Sequence, residues 1–300
     1  MLARNEKTTA HEPASRQARH NETWRHARHV ILSNPATLLA FALLVIILLS
    51  AIVGPVLVPY DPLETNASSS LQPPSWAHWF GTDQLGRDVF SRVIVAARLD
   101  LAISIAAVAI SFAAGSTLGS LAGYFGGWVD TIVGRLCDTI MAFPLFVLAM
   151  GIVAALGNTI ENIVYATAII NLPFYARMAR AEVSVRREAG FVQAARLTGN
   201  TDWRILALQI FPNALPPMMV QVSLNLGWAI LNAAGLSFIG LGVRPPTPEW
   251  GIMVAEGANY IISGEWWLAL FPGLALMIAV FTFNLLGDGL RDIVDPQRRT

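Results

Sequence analysis

Lys7 is the only lysine in the chain, and it stands in a segment without glycine. A Walker A loop needs a lysine followed by serine or threonine after a glycine-rich turn, because the ammonium group must reach the nucleotide phosphates. The chain therefore carries no such ATP site. The five histidines, His11, His20, His26, His29 and His78, all fall outside the long apolar runs. Neither an intramembrane Ser/His hydrolase nor a histidine metal site has a histidine to use there. His20, His26 and His29 are read as solvated tail residues. Cys137 is alone and closes no intrachain disulfide, which leaves it a packing role. No catalytic residue, metal or cofactor is assigned to the chain, and enzymatic activity is not expected.

Ion-driven carriers commonly place charged groups in mid-membrane facing a cavity, and here the centres of the apolar runs lack them. Asp130, Arg135 and Asp138 cluster at one edge, where Arg135 and Asp138 have the i, i+3 spacing of a structural helical ion pair. The deeper polar groups, Ser223, Asn225 and Asn232, are neutral, and Asn225 and Asn232 are seven apart and so share a helix face. They either line a path or hydrogen-bond neighbouring helices.

The elements that position these residues are membrane helices. Hydrophobic residues make up 54% of the chain, charged residues only 13%, and the mean hydropathy is +0.52, too apolar for an ordinary soluble domain. Charge-free runs long enough to span a bilayer, which takes about 20 residues, lead to an all-α membrane protein of six helices. The expected spans are 36–58, 101–123, 139–156, 159–176, 217–240 and 266–286. Basic residues crowd the N-terminal tail (1–35), the loop 177–216 and the C-terminal tail (291–300). The positive-inside rule therefore puts both termini and that loop in the cytoplasm. The segments 59–98 and 243–265 then face outside, and the transmembrane domain covers 36–290. In the second span Gly115, Gly119 and Gly123 continue a row of small residues with Ala107 and Ser111. This is a close-packing seam, expected within the chain, with a subunit seam as the alternative. Pro144, Pro173 and Pro272 should kink or end their helices.

The cytoplasmic stretch VQAARLTGNTDWRILALQIFPNALPP reads as helix, turn and helix. Helix-forming residues run from Ala189 to Thr198, Gly199 reverses the chain, and Thr201 or Asp202 caps a second helix. Pro212 is expected to end that helix and Pro216–Pro217 to begin the next span. Ala194 and Ala195 leave a low surface for a partner, edged by Arg196 and Arg204. Gln193-Ala194-Ala195, Gly199 and Phe211-Pro212 together resemble the cytoplasmic "EAA" loop of importer-type ABC transporter permeases, with Gln193 where that family often has glutamate. Gly81-Thr82-Asp83-Gln84-Leu85-Gly86-Arg87-Asp88, the run 122–127, Leu236–Gly242, Pro245–Gly251 and Leu286–Asp292 are similar to the dipeptide/oligopeptide branch and its C-type subunit. Ala233 occupies a position that is often acidic in relatives.

The resemblance implies the six-helix MetI-like permease fold in the bacterial inner membrane. It implies a heterodimer with a homologous B-type permease, two cytoplasmic ATPase subunits that bind ATP and Mg, and a periplasmic or extracellular peptide-binding protein. Beyond these the chain meets membrane lipid and no nucleic acid. Gln193, Ala194, Ala195, Arg196, Gly199, Thr201, Asp202, Arg204 and Pro212 would couple the chain to the ATPases. Ser223, Asn225 and Asn232 are path candidates, and Asp83, Arg87, Asp88, Glu249 and Trp250 are candidates for contact with the binding protein, against the alternative that their segments only cap the bundle. The same fold importing nickel, glutathione or another small solute, and an ATP-independent carrier or channel, remain the other readings.

Overall fold

The computed structural model describes residues 34–294, so most of the tails expected at 1–35 and 291–300 lies outside the described residues. Among them the regular structure is helical, with one isolated bridge between Thr82 and Asp88. The helices are α1 (Pro35–Leu57), α2 (Val89–Phe125), α3 (Gly127–Met141), α4 (Leu145–Leu156) and α5 (Ile160–Arg187). They continue with α6 (Gly190–Leu197), α7 (Asp202–Phe238), α8 (Trp250–Ala258) and α9 (Trp267–Val294). By length and composition α1, α2, α7 and α9 can each cross a membrane, and α3 with α4 make a fifth candidate only as a broken pair. The fourth expected span, 159–176, lies in α5, whose C-terminal half carries Arg177, Arg180, Glu182, Arg186 and Arg187 and so does not stand out as apolar.

Several boundaries move. α2 begins at Val89, not at Leu101, because Asp88 caps it by accepting from the Ser91 amide at 2.8 Å. The charges that suggested a loop are partnered inside the fold: Arg92 donates to the carbonyls of Pro62 and Pro246, and Asp100 accepts from the Trp250 amide. The third span is broken as Pro144 foretold, with an 88° bend between α3 and α4. Pro173 and Pro272 instead lie inside continuous helices.

α7 corrects the expectation for the proline cluster. Pro212 does not end a helix and Pro216–Pro217 do not start one, since all three sit inside a helix that runs from Asp202. The chain passes Pro212 through a π-helical turn at Leu206–Ile210, where the Phe211 amide bonds the Leu206 carbonyl. A wider turn relieves the clash that a proline ring imposes one α-turn back. Asn213 Nδ2 adds a donor to the Gln209 carbonyl at 2.6 Å.

The glycine row is an internal seam. Cβ atoms placed on Gly115, Gly119 and Gly123 would lie 2.7, 2.1 and 2.6 Å from the carbonyl oxygens of Leu172, Ala176 and Arg180. Both series advance by four, so α2 and α5 run parallel with their backbones in contact. The Ion pair expected between Arg135 and Asp138 is not formed. Asp138 pairs with Arg177 at 2.8 Å and Asp130 pairs with Arg180, both across to α5.

Replacing Gly119 by alanine should lower the thermal unfolding midpoint of the purified protein in detergent by several degrees, since overpacking costs about 1–3 kcal/mol. Gly134→Ala, at a glycine with open space around it, should leave the midpoint unchanged or raise it.

Candidate functional site

Residues singled out by the sequence gather in two places at opposite ends of α2: the loop after α5, held by Tyr124, and a polar cap around Asp88. The loop is fixed by a glycine stop. α6 ends at Leu197, and Gly199 takes φ +78°, a left-handed conformation that favours glycine. The Asn200 amide bonds the Ala195 carbonyl and the Gly199 amide bonds the Arg196 carbonyl, the paired bonds of a Schellman motif. Thr201 holds the N-cap position of α7 in extended conformation without a side-chain cap bond. Asp202 caps nothing and instead accepts from the Tyr124 hydroxyl at 2.5 Å.

Tyr124 is the anchor that sequence reasoning passed over, although it sits in the quoted run 122–127. Its hydroxyl holds Asp202, its carbonyl accepts from Arg187 Nη1 at 3.0 Å, and the Arg196 guanidinium lies 5.9 Å over its ring. Val192 and Ala195 are buried in a cluster with Tyr124, Val183, Ile205 and Leu206. Ala195 therefore does not belong to the low outer surface expected of it. At about 100° per residue the buried stripe of α6 takes Val192 and Ala195, three apart, and leaves Ala194 outside. The outer surface holds Gln193, Ala194, Arg196 and Arg204, with Leu197 90% and Trp203 64% exposed. Pro212 lies exposed one π-turn further on. The arrangement is an apolar and cationic knob on a rigid base.

The cap is built on the segment 81–88. Asp83 Oδ1 accepts from the amides of Leu85 and Arg87, and its Oδ2 takes Arg87 Nε at 2.6 Å. Gly86 has φ +73°, and a Cβ there would strike the Asn66 carbonyl at 1.9 Å. Asp88 caps α2 and meets His78 Nδ1 at 2.9 Å. Glu249 caps α8 by accepting from the Gly251 and Ile252 amides at 2.8 Å each. Trp250 Nε1 donates to the Val93 carbonyl at 2.9 Å. Asp83, Arg87, Asp88, Glu249 and Trp250 are all buried, so their side chains hold the cap together and are closed off from its surface. Arg92, Asp100 and Glu256, which the sequence reading left aside, complete the network. Glu256 Oε2 stands 3.8 and 3.9 Å from Arg87 Nη2 and Arg92 Nη2. Burial is the main influence on both Glu249 and Glu256, and it raises their carboxyl pKa values above the ordinary.

The three path candidates part company. Ser223 is buried and donates to the Phe283 carbonyl at 2.9 Å, tying α7 to α9. Asn225 is buried beside Tyr175 and accepts from Gln221 Nε2 at 3.0 Å. Asn232 lies nearer the periphery and donates to the Trp228 carbonyl. Among the described residues no group of three or more His, Cys, Asp or Glu side chains is placed to hold a metal ion.

Comparison with known proteins follows this geometry. The family described as "Binding-protein-dependent transport system inner membrane component" matches residues 115–300, and "N-terminal TM domain of oligopeptide transport permease C" matches residues 22–74. The chain is 44% identical over 268 residues to the "Probable D,D-dipeptide transport system permease protein" of Escherichia coli, covering 89% of this chain and 90% of that one. It is 42% identical over 277 residues to a dipeptide transport system permease protein of Alkalihalophilus pseudofirmus, covering 92% and 91%. It is 39% identical over 278 residues to a glutathione transport system permease protein of Pectobacterium atrosepticum, covering 92% of each.

The raised values of Glu249 and Glu256 set a pH dependence. Each binds its proton more tightly folded than unfolded. The resulting stability is full below the unfolded glutamate value of about 4.3 and is lost as pH rises through the folded value. Glu249→Gln should therefore gain thermal stability relative to the unsubstituted protein as pH is raised from about 4.5 to 8. A difference between the two that stays constant over that range would contradict the assignment.

Proposed function

The chain belongs to the binding-protein-dependent transport system inner membrane components, and we propose that it works as the permease subunit of an ABC importer for dipeptides and oligopeptides. Its relatives are transporter permeases, and its apolar helices suit a multi-pass protein of the inner membrane. The observation that carries the reading is the knob on α6. It is an exposed surface with a glycine-locked turn, braced by Tyr124 and Asp202 against the end of a spanning helix.

In this reading the chain crosses the membrane six times, with α5 as the fourth span and both termini cytoplasmic. α2 and α5 run parallel, which suits spans two and four both returning to the cytoplasm. Two separate ATPase subunits bind ATP and Mg and receive Gln193, Ala194, Arg196, Leu197 and Arg204 of the knob, and this chain carries no cofactor of its own. Gly199, Thr201 and Asp202 set the knob's shape through the turn and the Tyr124 bond, and Ala195 holds it from beneath. Because α6 leads through the four-residue turn 198–201 into the 37-residue α7, a push on the knob acts at the end of a long lever. Closure of the ATPase pair would tilt it and switch the site between inward- and outward-open states. A homologous B-type permease completes the path, with Ser223, Asn225 and Asn232 on the helix facing it. A peptide-binding protein docks on the outside, against the cap that Asp83, Arg87, Asp88, Glu249 and Trp250 hold in shape. The similarity to glutathione permeases supports a second cargo, a tripeptide with an unusual linkage, on the same scaffold.

The test is peptide uptake into vesicles containing the assembled complex. Gly199→Val forces a β-branched residue into the left-handed region, at a cost of about 1–2 kcal/mol. Uptake should fall about tenfold while the ATPases still hydrolyse ATP. Normal uptake by this variant would remove the knob's coupling role, and uptake driven by an ion gradient without ATPases would overturn the importer reading.

A further inference from the structure

α3 is divided lengthwise into three faces. At about 100° per residue, Trp128, Ile132 and Leu136 share one, Val133 and Cys137 the next, and Asp130, Thr131, Arg135 and Asp138 the remainder. The fold treats them differently. Val133 and Cys137 are buried against Leu172 and Ala176 of α5. Asp130 and Asp138 reach Arg180 and Arg177 along an open groove of about 450 Å³. Trp128, Ile132 and Leu136 remain 74%, 60% and 44% exposed. An exposed apolar strip thus lies beside a charged one on the same short helix.

Such a helix does not suit an upright place in the bilayer, where Asp130, Arg135 and Asp138 would meet hydrocarbon at about 2.5–3.5 kcal/mol each. Its geometry points the same way. α4 packs along α5, with Ala149 and Val153 clustering with Ile163, Ala166 and Ile170. The 88° bend therefore turns α3 away from the direction of the spanning helices. Asp130 and Asp138 are about 12 Å apart along α3, whereas Arg180 and Arg177 are about 4.5 Å apart along α5, so α3 crosses α5 obliquely. α4 itself rises about 18 Å over its twelve residues, more than half of a hydrocarbon thickness of about 30 Å. Trp128 and Phe125, both exposed, stand three residues apart where α2 passes into α3, as aromatic side chains do at a membrane–water boundary.

We propose that α3 is an interfacial helix. It lies along the bilayer surface at the end of the molecule that carries the α6 knob, with Trp128, Ile132 and Leu136 in the headgroup–acyl boundary. Its occupant is lipid, chosen over a protein partner because the apolar strip is flanked by Arg135 and the Asp–Arg pairs, the pattern of a helix floating at an interface. The broken third span is then a crossing by α4 preceded by a surface float. The inference rests on the chain's place in a membrane and not on its cargo, its orientation or its ATPase partners.

The experiment attaches a nitroxide to single cysteines at positions 128, 132 and 136, and at 131 as the polar-face control, in a Cys137→Ser background. The assembled transporter is reconstituted in phosphatidylethanolamine/phosphatidylglycerol vesicles. Collision rates with oxygen and with water-soluble chromium oxalate give the depth of each label. The expected result is oxygen-dominated collision at 128, 132 and 136, all about 5–10 Å below the phosphates and at nearly equal depth, with chromium oxalate dominating at 131. Depth increasing by about 12 Å from 128 to 136 would make α3 part of an upright span and overturn the proposal. So would labels shielded from both reagents, which would mean a protein partner. If Cys137→Ser does not fold, brominated-lipid quenching of the unsubstituted complex against Trp128→Phe gives the same answer: loss of a quenchable component supports the float, and no loss overturns it. Peptide uptake by each labelled complex reports separately on the permease assignment.

Discussion

Gly115, Gly119 and Gly123 bring the backbone of α2 against the carbonyls of Leu172, Ala176 and Arg180, and this contact sets the position of much else. In a bilayer no hydrophobic gain separates helix–helix from helix–lipid contact, so close van der Waals fit has to supply the association. The row continues to the end of α2. It places Tyr124 beside α5, where its carbonyl meets Arg187 and its hydroxyl meets Asp202. One seam therefore fixes two parallel helices and, through them, the base of the loop that precedes α7.

The loop shows how a short segment can be stiff without a core of its own. The Schellman bonds close α6, the left-handed glycine reverses the chain, and Val192 and Ala195 insert into an existing cluster. What remains outside is Gln193, Ala194, Arg196, Leu197, Trp203 and Arg204, a surface whose backbone is already ordered. Binding to such a surface costs less conformational entropy than binding to a flexible loop. The π-helical turn then lets α7 continue past Pro212, so the knob and the long helix are mechanically one piece.

The cap solves a different problem, that of holding charges inside a chain with few of them. Asp83 sits with Arg87 and Arg92, and Glu256 stands between the two guanidiniums. Glu249 spends its oxygens on backbone amides. Buried ions persist only when paired or hydrogen-bonded, and the opposing charges here offset one another. Arg92, bonded to the Pro62 carbonyl, is also bonded to the carbonyl of Pro246, 154 residues further along the chain. The motif 81–88 is accordingly an internal fastening, with the side chains of Thr82, Asp83, Arg87 and Asp88 turned inward.

The sequence by itself determined whatever follows from local chemistry. Apolar runs declared membrane helices, Gly199 marked the turn after α6, the spacing of Gly115, Gly119 and Gly123 announced a seam, and the lone Lys7 removed a Walker A loop. The tertiary structure decided matters that depend on a partner distant in the chain. Hydropathy ended the second span at its charges, but Arg92 and Asp100 find their partners at Pro62, Pro246 and Trp250, so α2 runs on to Val89. Pro212 read as a stop, yet a widened turn carries the helix through it. Arg135 and Asp138 had the spacing of a pair, while Arg177 waited on α5. Ala194 and Ala195 are equivalent as letters, and only packing against Val183 and Ile205 turned one inward. A charge, a proline or an alanine is costly or harmless according to what surrounds it, and in a helical membrane protein those surroundings come from other helices.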